Sequence, residues 1–290
     1  MNPDAVRGDP VFAVGTGRCG THLLVELFGG ECGVYACHES NPFNEAFHRY
    51  CQWNGLPVDD QGFLDIKRSE IESAGVAGKI FFEASAYLSL SIAKLFYTFG
   101  SRFILITRNP VDTVNSLWVK GWYDFDYKKQ NDTSALGYHE LGAPHHFFSR
   151  LVPKNDDFPR WKSLSRTGKL GWFWNMLHDE VLRQLQSLPK QNWRIVKLEE
   201  LDYDAYMLLT RFVGIESSLS RQRFENVVST RPGSLWGRRK LGEWTSFELR
   251  EFAEEVTGVA GLLGYRTDFD AQWRRVQGGR GQSGRATEIE

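Results

Sequence analysis

The chain has 290 residues, with 35 Lys+Arg set against 36 Asp+Glu and a formal net charge of -1. At 41% hydrophobic and 24% charged residues, it can bury a sizeable core as one large α/β domain or two smaller ones. The charge balance argues against nucleic acid as a partner, no apolar run nears the ~18–20 residues of a membrane span, and Met1-Asn2-Pro3-Asp4 opens no basic-then-apolar leader. The expectation is a cytoplasmic protein. Cys19, Cys32, Cys37 and Cys51 form no CxxC pair, so reduced thiols are expected rather than a disulfide framework or a zinc site.

Residues 1–9 read as an N-terminal extension. Val11-Phe12-Ala13-Val14 is a short apolar run suited to a buried strand. A glycine-rich turn follows, Gly15 to Gly20, and then Leu23, Leu24, Leu27 and Phe28 at the spacing of one helix face. Gly33 to Cys37 reads as a second strand opening onto His38-Glu39, and Lys79 to Glu83 as a third, followed by a helix through Leu88, Ile92, Leu95 and Phe96. Phe103-Ile104-Leu105-Ile106 is a strand that stops at Thr107-Arg108-Asn109, with Pro110 placed to start the next helix. Residues 121–170 are aromatic, histidine-bearing and broken by prolines, as an insertion or lid would be. A helix over roughly 171–187 and a strand, Trp193 to Leu198, come next, and helices dominate 205–264. Residues 269–290 read as a polar tail, with the Gly/Arg-rich run from Gln277 to Glu290 expected to be disordered. Alternating strands and helices predict a single α/β domain over 10–268 with a central, mainly parallel sheet flanked by helices.

The glycine loop admits more than one chemistry. Gly15, Gly17 and Gly20 satisfy GxGxxG between a strand and a helix, and Glu39 stands 19 residues beyond Gly20, where a dinucleotide-binding fold places its ribose acid. Gly15 and Gly20 also fit the glycines of a Walker loop, but Thr21-His22 stands where Lys-Ser/Thr should, which disfavours a magnesium-dependent NTPase. Arg18 puts a long cation beside the backbone N–H groups of a helix start, which suits a compact dianion. A second anion site is suggested by Arg108 at a strand end and Ser116 eight residues on, about two helical turns later.

These two stretches resemble the sulfotransferases that use 3′-phosphoadenosine-5′-phosphosulfate (PAPS). Gly17-Arg18-Cys19-Gly20-Thr21-His22 is similar to their phosphosulfate loop, and Arg108 with Ser116 to their 3′-phosphate site. Ile195 to Leu201 with Phe212-Val213-Gly214-Ile215, and Gly237-Arg238-Arg239-Lys240-Leu241-Gly242-Glu243-Trp244, resemble their late strand-to-helix passage and carboxy-terminal basic loop. Cys19 and His22 depart from the family pattern by replacing two hydroxyl residues.

The resemblance implies a P-loop-like sulfotransferase architecture and metal-free, in-line sulfuryl transfer from PAPS, leaving adenosine-3′,5′-bisphosphate. It assigns Arg18, Cys19, Gly20, Thr21 and His22 to the phosphosulfate and Arg108 and Ser116 to the 3′-phosphate, with Arg238 and Arg239 as helpers. It implies a base at the end of the second or third strand, in the order Glu39, His38, Glu83. The acceptor is a small molecule, carbohydrate or lipid, with Trp122, Tyr123, Tyr127, His145 and His146 on its side. Ten Trp can equally build a core or a homo-oligomer interface. Two other readings stay open: an NAD(P)-binding Rossmann oxidoreductase, and a non-catalytic nucleotide-binding protein on the same fold.

Overall fold

The computed structural model describes residues 8–124, 144–230 and 239–283. Strand β1 (Val11–Val14) is buried at every position and leads into α1 (Thr21–Gly29), which buries Leu23, Leu24, Leu27 and Phe28. After β2 (Val34–His38) come α2 (Pro42–Asn54) and α3 (Asp60–Val76), two helices with no assignment from sequence. Both begin on side-chain caps. Asn41 accepts from the Asn44 N–H and Asp59 from the Gly62 N–H, while Pro42 sits where a missing N–H costs nothing.

Strand β3 (Ile80–Ala84) is followed by a 3-10 turn, Ala86–Leu90, and then α4 (Ile92–Phe99), where the sequence suggested one continuous helix. Strand β4 (Arg102–Thr107) runs into α5 (Pro110–Val119), which the Asn109 side chain caps. Then come α6 (Pro144–Ser149), α7 (Asp157–Ser163), α8 (Arg166–Gln186), β5 (Trp193–Lys197), α9 (Tyr203–Val213) and α10 (Arg221–Thr230). The last two helices are α11 (Ser246–Leu262) and α12 (Phe269–Ser283).

Among the described residues, five strands pair in parallel in the order β2-β3-β1-β4-β5, the α/β architecture that the alternating pattern predicts. Ala13 of β1 lies opposite Ala84 on one side and Ile104 on the other. Such a sheet offers its functional edge where the strands end, and β1, β2, β3 and β4 all bring candidate residues there.

The described residues form two compact units where the sequence suggested one domain. The first holds residues 8–108, 144–151 and 177–230 and contains the whole sheet; the second holds 109–124, 152–176 and 239–283. The proposed 121–170 insertion is shared between them, with α6 in the first unit and α7 in the second.

In the first unit one sheet face (Val11, Ala13, Phe82, Ile104, Ile106) packs with Leu24 and Phe28 of α1 and Tyr206 and Phe212 of α9. Glu31, just past α1, is buried but well supplied: the Tyr206 and Ser218 hydroxyls donate to it at 2.7 and 2.9 Å, and the Ser218 N–H at 2.7 Å. In the second unit Trp161 is fully buried beneath the edge of Tyr123, with ring centroids 5.2 Å apart, and Trp244 packs on Phe252. Residues 269–283 of the expected tail form α12. Helix α12 continues to Ser283 because Phe269 buries against Phe252, the Trp273 indole donates to the Trp244 carbonyl, and the Gln277 amide donates to that of Gly242. Residues 284–290 lie outside the described residues.

Candidate active site

The turn between β1 and α1 is built around three glycines, for distinct reasons. A Cβ on Gly15 would stand 2.5 Å from the Ile106 carbonyl oxygen and 2.7 Å from Cys19 Sγ. Gly17 and Gly20 have φ of +74° and +110°, and a Cβ on Gly20 would also meet Leu198 at 2.7 Å. Ser89, buried, donates its hydroxyl to the Gly15 carbonyl at 3.0 Å and fixes the start of the loop. Arg18 takes a positive φ of 57°, uncommon outside glycine, at the centre of the turn. Gly20 caps α1 with no side chain, so the first N–H groups of a nine-residue helix face the loop without a side-chain cap.

Cys19 is fully buried, and burial pushes its thiol up to about 11 against the pull of the Gly17 N–H and its other neighbours. The thiolate character that a helix amino terminus can induce is therefore not developed here.

The end of β2 brings a second group to this loop. His38 Nε2 lies 3.0 Å from the Thr21 hydroxyl, and its ring stacks on His22 with centroids 3.8 Å apart. Burial, then the nearby His22 charge, lowers the His38 pKa to about 4, so His38 is neutral at physiological pH. Its Nδ1 stands 3.8 Å from Glu39 Oε2, and Glu39 has φ 46°. Thr21, His22, His38 and Glu39 thus form one constellation across the tips of α1 and β2. Arg108, just past β4, reaches the glycine loop by donating to the Arg18 carbonyl at 3.3 Å.

Glu83, the third base candidate, is placed elsewhere. It is 0% exposed and engaged with Lys67 at 2.8 Å and with the Ser40 N–H and hydroxyl at 2.9 and 2.8 Å. An acceptor bound at the surface would not reach it. The sheet order also decides against a Rossmann oxidoreductase. That fold pairs the first two strands directly, whereas here β3 separates β1 from β2.

No protein-family model matches the chain, and no curated protein sequence matches it. Solved structures do. A sulfotransferase from Alicyclobacillus acidocaldarius aligns over 93% of this chain and 100% of its own, at 15% identity and a TM-score of 0.50. The sulfotransferase domain from the curacin biosynthetic pathway aligns over 90% and 99%, at 11% identity and a TM-score of 0.47. Mouse sulfotransferase SULT7A1, complexed with PAP, aligns over 89% and 87%, at 15% identity and a TM-score of 0.46. The chain has the sulfotransferase fold.

Within the sulfotransferase fold, the remaining expected residues are distributed as follows. Ser116 lies in the second unit on α5 and is 0% exposed. Arg238 lies outside the described residues. Arg239, expected beside a phosphate, is committed within the second unit. It forks onto Glu248 at 2.7 and 2.8 Å, donates to the Thr167 hydroxyl and the Glu243 carbonyl, and lies 4.4 Å over the Trp118 ring. Four of the five guanidinium donors are used in this way, which makes Arg239 an anchor of its segment.

The acceptor-side residues divide too. Trp122 and Tyr123 pack against Phe173 and Trp161 in the second unit, Tyr127 lies outside the described residues, and His145 and His146 belong to α6. In the first unit, Phe148 of α6 meets Phe43 and Phe47 of α2 edge-on, at 5.9 and 5.2 Å. Among the described residues, no group of three or more His, Cys, Asp or Glu is arranged to hold a metal ion, and no helix is long and apolar enough to cross a membrane.

Sequence reading missed Lys67 and Glu45, which complete the surroundings of Glu83. Nothing in the run Asp65-Ile66-Lys67-Arg68 distinguishes a buried lysine from a surface one.

Proposed function

We propose that this chain is a sulfotransferase that carries the sulfuryl group of PAPS to a hydroxyl or amine of a small-molecule, carbohydrate or lipid acceptor. The observation that carries this reading is the convergence at one sheet edge of the glycine loop, with its uncapped α1 start and Arg18, and the His38-Glu39 end of β2. In the reaction the acceptor oxygen attacks sulfur in line. The bond from sulfur to the 5′-phosphate oxygen breaks, and adenosine-3′,5′-bisphosphate leaves with its electron pair. Backbone N–H groups at the start of α1, Arg18, Thr21 and His22 hold the phosphosulfate and take up charge on the leaving oxygen.

Glu39 accepts the acceptor's proton, and neutral His38, tied to Thr21 and facing Glu39, orients both groups. Arg108, at the end of β4, holds the 3′-phosphate. The fold alone is compatible with a non-catalytic nucleotide binder; the strained Glu39 beside the loop favours the enzyme.

Calorimetric titration with adenosine-3′,5′-bisphosphate, adenosine-5′-phosphosulfate and NAD tests the reading. Wild type should bind the bisphosphate and ignore NAD. Arg108→Ala should weaken the bisphosphate far more than adenosine-5′-phosphosulfate, which lacks the 3′-phosphate. Tight NAD binding with no bisphosphate binding would overturn the proposal, and equal losses on both nucleotides would remove Arg108 from the 3′ site.

A further inference from the structure

Beneath the Glu39 turn lies a cluster of charges with no place in the mechanism above. Lys67 of α3 is 1% exposed, and its ammonium reaches Glu45 of α2 at 2.7 Å, Glu83 of β3 at 2.8 Å and Glu70 at 3.0 Å. Glu45 and Glu83 side chains are both 0% exposed. Burying one cation with two carboxylates is costly, so the arrangement calls for an account of what it holds.

What it holds is the backbone that follows β2. The Glu39 N–H donates to the Ala84 carbonyl at 3.2 Å, extending the β2–β3 ladder by one residue. The Ser40 N–H donates to Glu83 Oε1 at 2.9 Å, and the Asn41 N–H to Glu45 Oε1 at 3.0 Å. Three consecutive N–H groups are therefore fixed, two of them by the carboxylates that Lys67 bridges. The Ser40 hydroxyl lies 2.8 Å from the same Glu83 oxygen, and Lys67 donates to that hydroxyl at 3.0 Å. Ser85 closes the far side by donating to Glu45 Oε2 at 2.6 Å. Between these anchors Glu39 is held at φ 46°, a conformation that persists only where the surroundings over-determine it.

We infer that Lys67, Glu45 and Glu83 form a buried clamp whose role in catalysis is to hold the 39–41 turn, so that the Glu39 carboxylate faces His38 and the glycine loop. The inference rests on the proposed sulfotransferase reading. Glu83 is then a positioning residue rather than a base. It acts through the oxygen that accepts from Ser40, and its charge is dispensable. Burial, with Glu45 beside it, pushes Glu83 up to about 8, so a neutral side chain of the same shape fits the site at neutral pH. Glutamine keeps an acceptor oxygen for the Ser40 N–H; alanine keeps none.

The test uses the full chain with PAPS and water as acceptor, reading release of adenosine-3′,5′-bisphosphate, alongside bisphosphate affinity and amide hydrogen exchange. Glu83→Ala should lower kcat by about 100-fold, the scale of a catalytic group displaced by an ångström, with KM and bisphosphate affinity within about 3-fold of wild type. The Ser40 and Asn41 amides should lose protection in Glu83→Ala while those of α1 keep theirs. Glu83→Gln should restore kcat to within about 5-fold of wild type.

If Glu83→Gln is as inactive as Glu83→Ala, Glu83 acts chemically and the clamp is overturned; unchanged kcat in Glu83→Ala overturns it as well. Should Glu83→Ala fail to fold, Ser40→Ala decides. It removes the hydroxyl that meets Glu83, Glu70 and Lys67 at an exposed residue and should lower kcat about 10-fold with KM unchanged, and no effect on kcat overturns the inference. A wild-type chain that neither binds the bisphosphate nor releases it from PAPS defeats the sulfotransferase reading itself, whatever the exchange of Ser40 and Asn41 shows.

Discussion

Each unit of the molecule shields a cation beside carboxylates, one-to-one in the second unit and one-to-three in the first. In the second unit one guanidinium meets one carboxylate. Arg239 forks onto Glu248, and the Thr167 hydroxyl and Thr245 N–H supply further donors. Burial alone would raise Glu248, but the Arg239 hydrogen bonds and the Thr245 N–H outweigh it and hold the carboxyl down at about 2. In the first unit Lys67 faces Glu45, Glu83 and Glu70 at once, and burial, reinforced by the Glu45 charge, pushes Glu83 the other way. A balanced pair is a finished piece of structure. An unbalanced cluster has a protonation state set by its neighbours, and here it backs onto the turn that carries Glu39.

The largest way to break this contrast is to remove the lysine. Lys67→Met leaves the buried Glu45 carboxylate with no cation, and breaking a buried pair in this way costs about 3–5 kcal/mol. Urea denaturation should show that loss. Adding Glu45→Gln to Lys67→Met removes the stranded carboxylate and should recover part of the stability. A double variant as unstable as the single one would mean that charge imbalance is not the cause.

A smaller effect separates the two clusters by pH. The folded pKa of Glu248, about 2, lies below its ordinary value of 4.5, so its contribution is fully present above pH 4.5 and is lost as pH falls toward 2. Allowing for its partial exposure, that contribution is about 1–3 kcal/mol. Glu83 has the opposite sign. Its pKa is raised from 4.5 to about 8, so its folded form resists ionisation and costs stability progressively as pH rises through that range. Glu248→Gln should therefore lower the melting temperature at pH 7 and flatten the acid limb. Glu83→Gln should be neutral or stabilising at pH 7. Equal melting losses in the two variants would erase the distinction.

The same contrast separates what was readable in the sequence from what was not. The loop from Gly15 to Gly20 and the passage from Arg108 into α5 are local, so spacing alone exposes the strand end, the glycines that allow positive φ and the proline that starts the helix. The clamp is assembled from residues 45, 67 and 83, on α2, α3 and β3, around the turn at residue 40, and no local pattern links them. Glu83 is a base candidate because it stands near a strand end; that position is legible in the sequence and its burial is not. The surroundings of Arg239 are hidden for a related reason. A basic run shows its charges but not Glu248, nine residues on, which neutralises one of them. The order β2-β3-β1-β4-β5 was equally hidden, because the alternating pattern fits the Rossmann order as well.

The smallest effect concerns a buried polar atom with neither kind of charge partner. Cys19 occupies the loop position where the resemblance calls for serine, and it is fully buried with Sγ near the Gly17 and Thr16 N–H groups and the Thr16 hydroxyl. A serine hydroxyl is smaller and more polar than the thiol, so Cys19→Ser gives up some packing and gains stronger hydrogen bonds to donors already in place. These terms oppose each other, and the net change should stay within about 1 kcal/mol. A thermal melt of Cys19→Ser close to wild type, with bisphosphate affinity retained, would show that this buried site is satisfied without any ion. A loss on the scale of Lys67→Met would instead show that the thiol is a packing element for which the loop has no substitute. Iodoacetamide gives an independent check: the native chain should be alkylated at exposed Cys32, while the Cys19 thiol, buried and raised to about 11, stays unmodified until the fold opens.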